Sequence, residues 1–101
     1  MFLVDMTFTD PNSIPPEKTA AHRDHMVDEY AKGNLMFGGP KSPRTGGFIL
    51  STHRDQTDLL ALLQKDPLVV AGLAQFEITE FKPVMAAQTY AEVLGDELSY
   101  F

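Results

Sequence analysis

The period of the apolar residues shifts from two to about 3.6 and back again along this chain, and that alternation limits the available folds more than any other feature. Phe2, Val4, Met6 and Phe8 share one face at period two within a run of β-formers, which predicts a first strand over Phe2–Phe8. Asp10-Pro11-Asn12-Ser13 and Pro15-Pro16 make a turn. A helix is then expected from about Glu17 to Lys32, stopped by Gly33 in the left-handed C′ position and burying Ala20, Val27, Tyr30 and Ala31. Leu35-Met36-Phe37 gives a short strand, Gly38 to Gly47 a glycine- and proline-containing loop, and Gly47 to Thr52 a third strand. A second helix spans about Gln56 to Lys65, capped by Asp55 or Thr57 and packed through Leu59, Leu60, Leu62 and Leu63. Gln75 to Lys82 is the last strand. The order β-α-β-β-α-β is the α+β, ferredoxin-like split motif, a four-stranded antiparallel sheet with both helices on one face.

Such a sheet has one uncovered face, and here both alternations carry apolar residues: Phe48 and Leu50 against Ile49, Phe76 and Ile78 against Phe81, Val4 and Met6 against Leu3. A half-covered sheet of that kind calls for a partner, so a homodimer or higher homo-oligomer is expected. From Ala86 the chain reads AAQTYAEVLGDELSYF, with Tyr90, Val93, Leu94, Leu98 and Phe101 near helical spacing and a break at Gly95. This amphipathic extension lies across its own sheet or reaches a second subunit. The expected division is a domain over residues 1–84 and an extension over 85–101.

With 101 residues the chain makes one domain and one site, burying about two-thirds of its unfolded surface. The formal net charge of −6 disfavours nucleic acid and anionic membrane as partners. The absence of cysteine excludes thiolate catalysis, cysteine–metal sites and disulfides. Met1-Phe2-Leu3-Val4 is broken by Asp5 and has no positive charge before it, so neither a signal peptide nor a membrane span is expected, and a cytoplasmic protein is.

Chemistry is confined to few residues. Histidine alone has an unperturbed pKa near physiological pH, and a carboxylate behind one ring nitrogen leaves the other free to take a proton. His22, on the first helix, equally fits a half-buried packing histidine, and Asp66 before Pro67 equally fits the N-cap of a short helix over Pro67–Ala71. The two roles of Asp66 are compatible, because the N–H groups of a helix start hold a carboxylate in place. His22 and His25 stand three apart, but nothing nearby supplies a clear third protein ligand, so no metal is expected. There is no G-x-G-x-x-G, no phosphate loop and no G-x-S-x-G, so neither a nucleotide cofactor nor serine hydrolysis is expected. Gly38-Gly39-Pro40 lets a ligand approach the backbone or simply ends a strand, and Lys41 and Arg44 beside it form a cationic pair suited to a carboxylate or a solvated loop.

Two stretches, AAHRDHMVDEYAKGNLMFGGP and DPLVVAGLAQFEITEFKPV, resemble the YCII-related (YciI-like) family of small α+β domains, over Met1 to about Val84. The resemblance rests on the spacing from His22 to Pro40 and on Asp66-Pro67 leading into Phe81-Lys82-Pro83. It implies sheet-to-sheet pairing as a dimeric α/β barrel and a functional histidine–aspartate pair, which maps onto His22 and Asp66. It further implies cofactor-independent, lyase-like chemistry of the dehydrochlorinase or muconolactone-isomerase kind. In that chemistry His22 is the base, Asp66 orients it, and Gly38, Gly39, Pro40 and Lys41 contact a small cyclic or aromatic-derived organic acid. The alternative is a non-catalytic ligand-binding or accessory module.

Overall fold

The computed structural model describes residues 1–95. Its elements run β1 (Phe2–Phe8), α1 (Pro16–Ala31), β2 (Leu35–Pro40), β3 (Gly46–Ser51), α2 (Gln56–Gln64), α3 (Pro67–Val70), β4 (Ala74–Glu80) and α4 (Gln88–Leu94). The strands form one antiparallel sheet in the order β2-β3-β1-β4, which is the ferredoxin-like arrangement expected from the sequence. Register sorts the faces. Val4 lies opposite Ile49 on one side and Ile78 on the other, and Met6 opposite Gly47 and Phe76, so these residues point toward the helices. With Phe2 they meet Met26 of α1, Leu59 and Leu63 of α2 and Leu68 of α3 in a single core.

The second helix follows its leucine pattern. Leu59 and Leu63, four apart, are fully buried, while Leu60 and Leu62 are half-buried, and the Asp55 carboxylate accepts the Thr57 amide at 2.8 Å to begin the helix. The first helix departs from expectation. None of Ala20, Val27, Tyr30 and Ala31 is buried, and the residues turned toward the core and its polar partners are His22, His25, Met26 and Glu29. The reason is local. Three of those four are polar and each meets a partner from elsewhere in the chain, so apolar periodicity alone marks the wrong stripe.

The segment Gly38-Gly39-Pro40 is also corrected. It is the end of β2 rather than part of a loop, paired with Ile49, Phe48 and Gly47 of β3 after an irregularity between Leu35 and Phe37. An edge strand admits proline because one side of its ladder is unpaired. The connecting loop is correspondingly short, from Lys41 to Thr45.

On the uncovered face Leu3, Phe48 and Leu50 lie together beside the ion pair of Lys41 with Asp5, whereas β4 presents Gln75, Glu77 and Thr79. That face is therefore apolar toward β3 and polar toward β4. In the extension, α4 sets Tyr90, Val93 and Leu94 along a cavity beside the end of α1 and the start of α2, and Leu98 and Phe101 lie outside the described residues. Among the described residues no helix is long and apolar enough to cross a membrane.

Candidate active site

His22 and Asp66 stand forty-four residues apart and meet, with Nδ1 of the imidazole 2.5 Å from Oδ2 of the carboxylate. Two helices bring them together. α1 presents His22 on its inward face, and α3, packed against α1, begins at Asp66 because Pro67 at its first position has no N–H to lose and a preset φ. The other carboxylate oxygen, Oδ1, accepts the Leu68 amide at 2.9 Å. Asp66 is thus cap and partner at once. It is fully buried with both oxygens accepting N–H bonds, which fixes the proton of the neutral imidazole on Nδ1 and leaves a lone pair on Nε2. Nε2 makes no hydrogen bond among the described residues, and the His22 side chain is about one-fifth exposed.

That histidine lines a cleft of about 540 Å³ between α1 and the β2–β3 side of the sheet. From α1 come Thr19, His22, Arg23, Met26, Val27 and Tyr30. From the sheet come Met6 and Phe8 of β1, Ile49 of β3 and the backbone of Gly38, Gly39 and Pro40. Gly38 is a close approach in its wall. A Cβ on Gly38 would lie 2.8 Å from the Tyr30 hydroxyl and 2.7 Å from the Phe48 carbonyl oxygen, so no larger residue fits there without displacement. Burial pushes the Tyr30 phenol above its ordinary value of 10.0, which keeps it a neutral donor at the cleft wall.

Of the residues singled out from the sequence, His22, Gly38, Gly39 and Pro40 line this cleft and Asp66 stands directly behind His22. Lys41 does not join them. Its ammonium is 2.7 Å from Asp5 and 5.0 Å from the Phe48 ring centre, contacts that belong to the uncovered face of the sheet. Arg44 does line the cleft, its guanidinium donating to the Thr19 hydroxyl at 3.3 Å and lying 5.6 Å from the Phe8 ring centre. Thr19, Arg23 and Tyr30 were not foreseen as site residues. The signal was present: 19, 22, 23, 26, 27 and 30 follow one helical face, visible once polar and apolar residues are counted together.

The three imidazoles have separate tasks. His25 Nε2 donates to the Leu62 carbonyl at 2.8 Å, tying α1 to α2. His53 donates from Nε2 to Glu29 at 3.0 Å, and its Nδ1 accepts from the buried Ser51 hydroxyl at 2.6 Å. The bond from Asn34, followed by the contact with His53, holds the Glu29 carboxyl below its ordinary 4.5 against the opposing effect of burial. Among the described residues no group of three or more histidines, cysteines or acids converges to hold a metal ion.

A four-stranded antiparallel sheet with its helices on one face, and a histidine backed by a buried carboxylate beside a cleft lined by glycines, define a small ferredoxin-like α+β domain. The chain belongs to the YCII-related domain family, whose model matches residues 1–82. Among solved structures it is similar to 5-chloro-2-hydroxyhydroquinone dehydrochlorinase (TftG) from Burkholderia phenoliruptrix AC1100, in complex with 2,5-dihydroxybenzoquinone. The TM-score is 0.65 and the identity 21%, over 82% of this chain and 95% of that one, a likeness of fold. No curated protein matches the chain in sequence.

Proposed function

We propose that the protein is a lyase-type enzyme, independent of cofactors, that removes a proton next to a carbonyl or enol of a small cyclic or aromatic-derived organic acid. The observation that carries this is the 2.5 Å contact of His22 Nδ1 with the buried Asp66 carboxylate, which directs the unshared pair of Nε2 away from the protein's own groups. Nε2 takes the proton, the C–H electron pair moves toward the carbonyl, and Asp66 stabilises the imidazolium. The resulting enolate expels a leaving group on the next carbon, which is elimination, or recovers the proton at another carbon, which is isomerisation. Gly38, Gly39 and Pro40 let the flat substrate lie against backbone, and Met26, Val27 and Ile49 shield it from water. The fold shared with a dehydrochlorinase supports this chemical class. Lys41, held by Asp5, has no part in the reaction. Residues 1–84 carry the site, and two copies pair through the Leu3, Phe48 and Leu50 face of the sheet.

The test is proton exchange in deuterium oxide. The protein is incubated with a panel of hydroxyquinones and cyclic enolisable acids, and deuterium incorporation or release of a leaving group is followed by NMR. General-base catalysis is worth about 10² to 10⁴ in rate, so His22→Asn should lose at least a hundredfold on any acid that reacts. Reaction unchanged in His22→Asn overturns the assignment. Tight binding of an acid with no exchange by the wild-type protein would instead make the cleft a non-catalytic ligand site.

A further inference from the structure

The charge of the cleft is opposite to that of the molecule. The chain has 14 acidic residues against 8 lysines and arginines, yet the cleft is lined by Arg23, Arg44 and His22 and by no carboxylate. Of the other lysines and arginines, Lys41 is paired with Asp5 and Lys32 lies 3.7 Å from Glu29, and none of the six lines the cleft. Among the described residues neither Arg23 nor Arg44 is within 4.0 Å of a carboxylate. A guanidinium beside an apolar wall, with no acid of its own, is matched to an anion brought by a ligand.

Of the two arginines, Arg44 is the one held in position. Its guanidinium donates to Thr19 and lies near the face of Phe8, one contact from α1 and one from β1, which spans the end of the cleft. Arg23 makes no side-chain hydrogen bond among the described residues. Thr19 precedes His22 by three residues, so the two differ by roughly 4.5 Å along the helix axis at 1.5 Å per residue. That offset suits an oxyanion and a reacting carbon that are a few bonds apart in one small molecule.

We propose that Arg44 is the specificity-determining residue of this site. It receives the planar oxyanion of the substrate, a carboxylate or an enolate, and thereby sets a carbon a few bonds away beside His22 Nε2. The body of the ligand lies over Met26, beside the Tyr30 hydroxyl that covers Gly38. This rests on the acid–base role of His22, but its test does not require turnover.

Benzoate and its neutral isostere benzamide serve as probes, titrated into the protein while the backbone amide signals of Gly38, Gly39 and Thr19 are followed by NMR. Benzoate should shift these signals and bind at least tenfold more tightly than benzamide. Arg44→Gln should weaken benzoate at least tenfold and leave benzamide unchanged, whereas Arg23→Gln should change benzoate less than threefold. His22→Asn should retain benzoate binding within threefold, separating the anchor from the base. Equal binding of the two probes overturns the proposal, as does equal loss in the two arginine variants, which would mark a diffuse field rather than an anchor. If the exchange reaction is found while Arg44→Gln leaves benzoate binding intact, the anchor fails and the base stands. If benzoate binding follows Arg44 while no acid exchanges, the base fails and the anchor stands.

Discussion

The hydroxyl of Tyr30 occupies the space above Gly38, 2.8 Å from where a Cβ would be, so the side chain at the far end of the cleft rests on a residue that has none. Gly38→Ala should destabilise the protein by about 1–3 kcal/mol, the usual cost of an added carbon in a closed space. Tyr30→Phe in the same chain should recover part of that loss and not all, because the Phe48 carbonyl oxygen, 2.7 Å from the same Cβ, is backbone. Urea unfolding of the two single variants and the double variant measures the coupling. Full additivity would show that Tyr30 and Gly38 do not meet in solution.

Asp66→Asn separates the cap from the partner. The asparagine oxygen still accepts the Leu68 amide, so α3 and the fold should survive, with unfolding shifted by no more than about 1 kcal/mol. Its NH₂ then faces Nδ1 of His22, which must accept instead of donate, and the ring proton of the neutral imidazole moves to Nε2. Imidazole ¹⁵N shifts report that change directly. Any exchange reaction should fall at least a hundredfold although His22 itself is intact. A His22 tautomer unchanged in Asp66→Asn would dissolve the pair.

Glu29 gives a stability signal with a defined direction in pH. Its folded pKa lies below the ordinary 4.5, chiefly through Asn34 and then through His53. A depressed carboxyl contributes stability that is complete above 4.5 and is lost as pH falls through the folded value. Glu29→Gln should therefore cost about 1.5–3 kcal/mol at pH 7, the range of hydrogen bonds to a charged group, and much less near pH 3. Denaturation midpoints at the two pH values test this; an equal deficit at both would assign the loss to packing.

Pairing through the sheet is tested by mass. Phe48 is 43% exposed beside Leu3 and Leu50, and light scattering at micromolar concentration should give twice the chain mass or an even multiple. Phe48→Asp should halve it with little change in secondary structure. A wild-type monomer at high micromolar concentration would remove the paired-sheet assembly.

How far the fold was legible depends on which residues announce themselves. Phe2, Val4, Met6 and Phe8 alternate so regularly that β1 needs no tertiary information, and Leu59 and Leu63 mark the buried face of α2. The inward face of α1 was not legible by the same rule, because His22, His25 and Glu29 are half-buried only by virtue of Asp66, the Leu62 carbonyl and Asn34 with His53. Hydropathy cannot see a partner forty residues away. Gly38-Gly39-Pro40 carries every local sign of a loop, and only the ladder of β3 makes it strand. Lys41 was equally opaque: the order of the chain puts it beside the cleft, and the pleat turns it to Asp5 on the opposite face.

The double duty of Asp66 bears on how such a protein changes over generations. A substitution at Asp66 that leaves no side-chain oxygen, unlike asparagine, removes the partner of His22 and the first turn's acceptor together, from a helix whose Leu68 is in the core. Arg44 belongs to the short connection between two strands, outside the core, and its hydrogen bond to Thr19 is exposed. On the proposed roles, the chemical step is inherited with the architecture while ligand choice drifts through a handful of loop positions, a division of labour by which one scaffold would acquire many substrates.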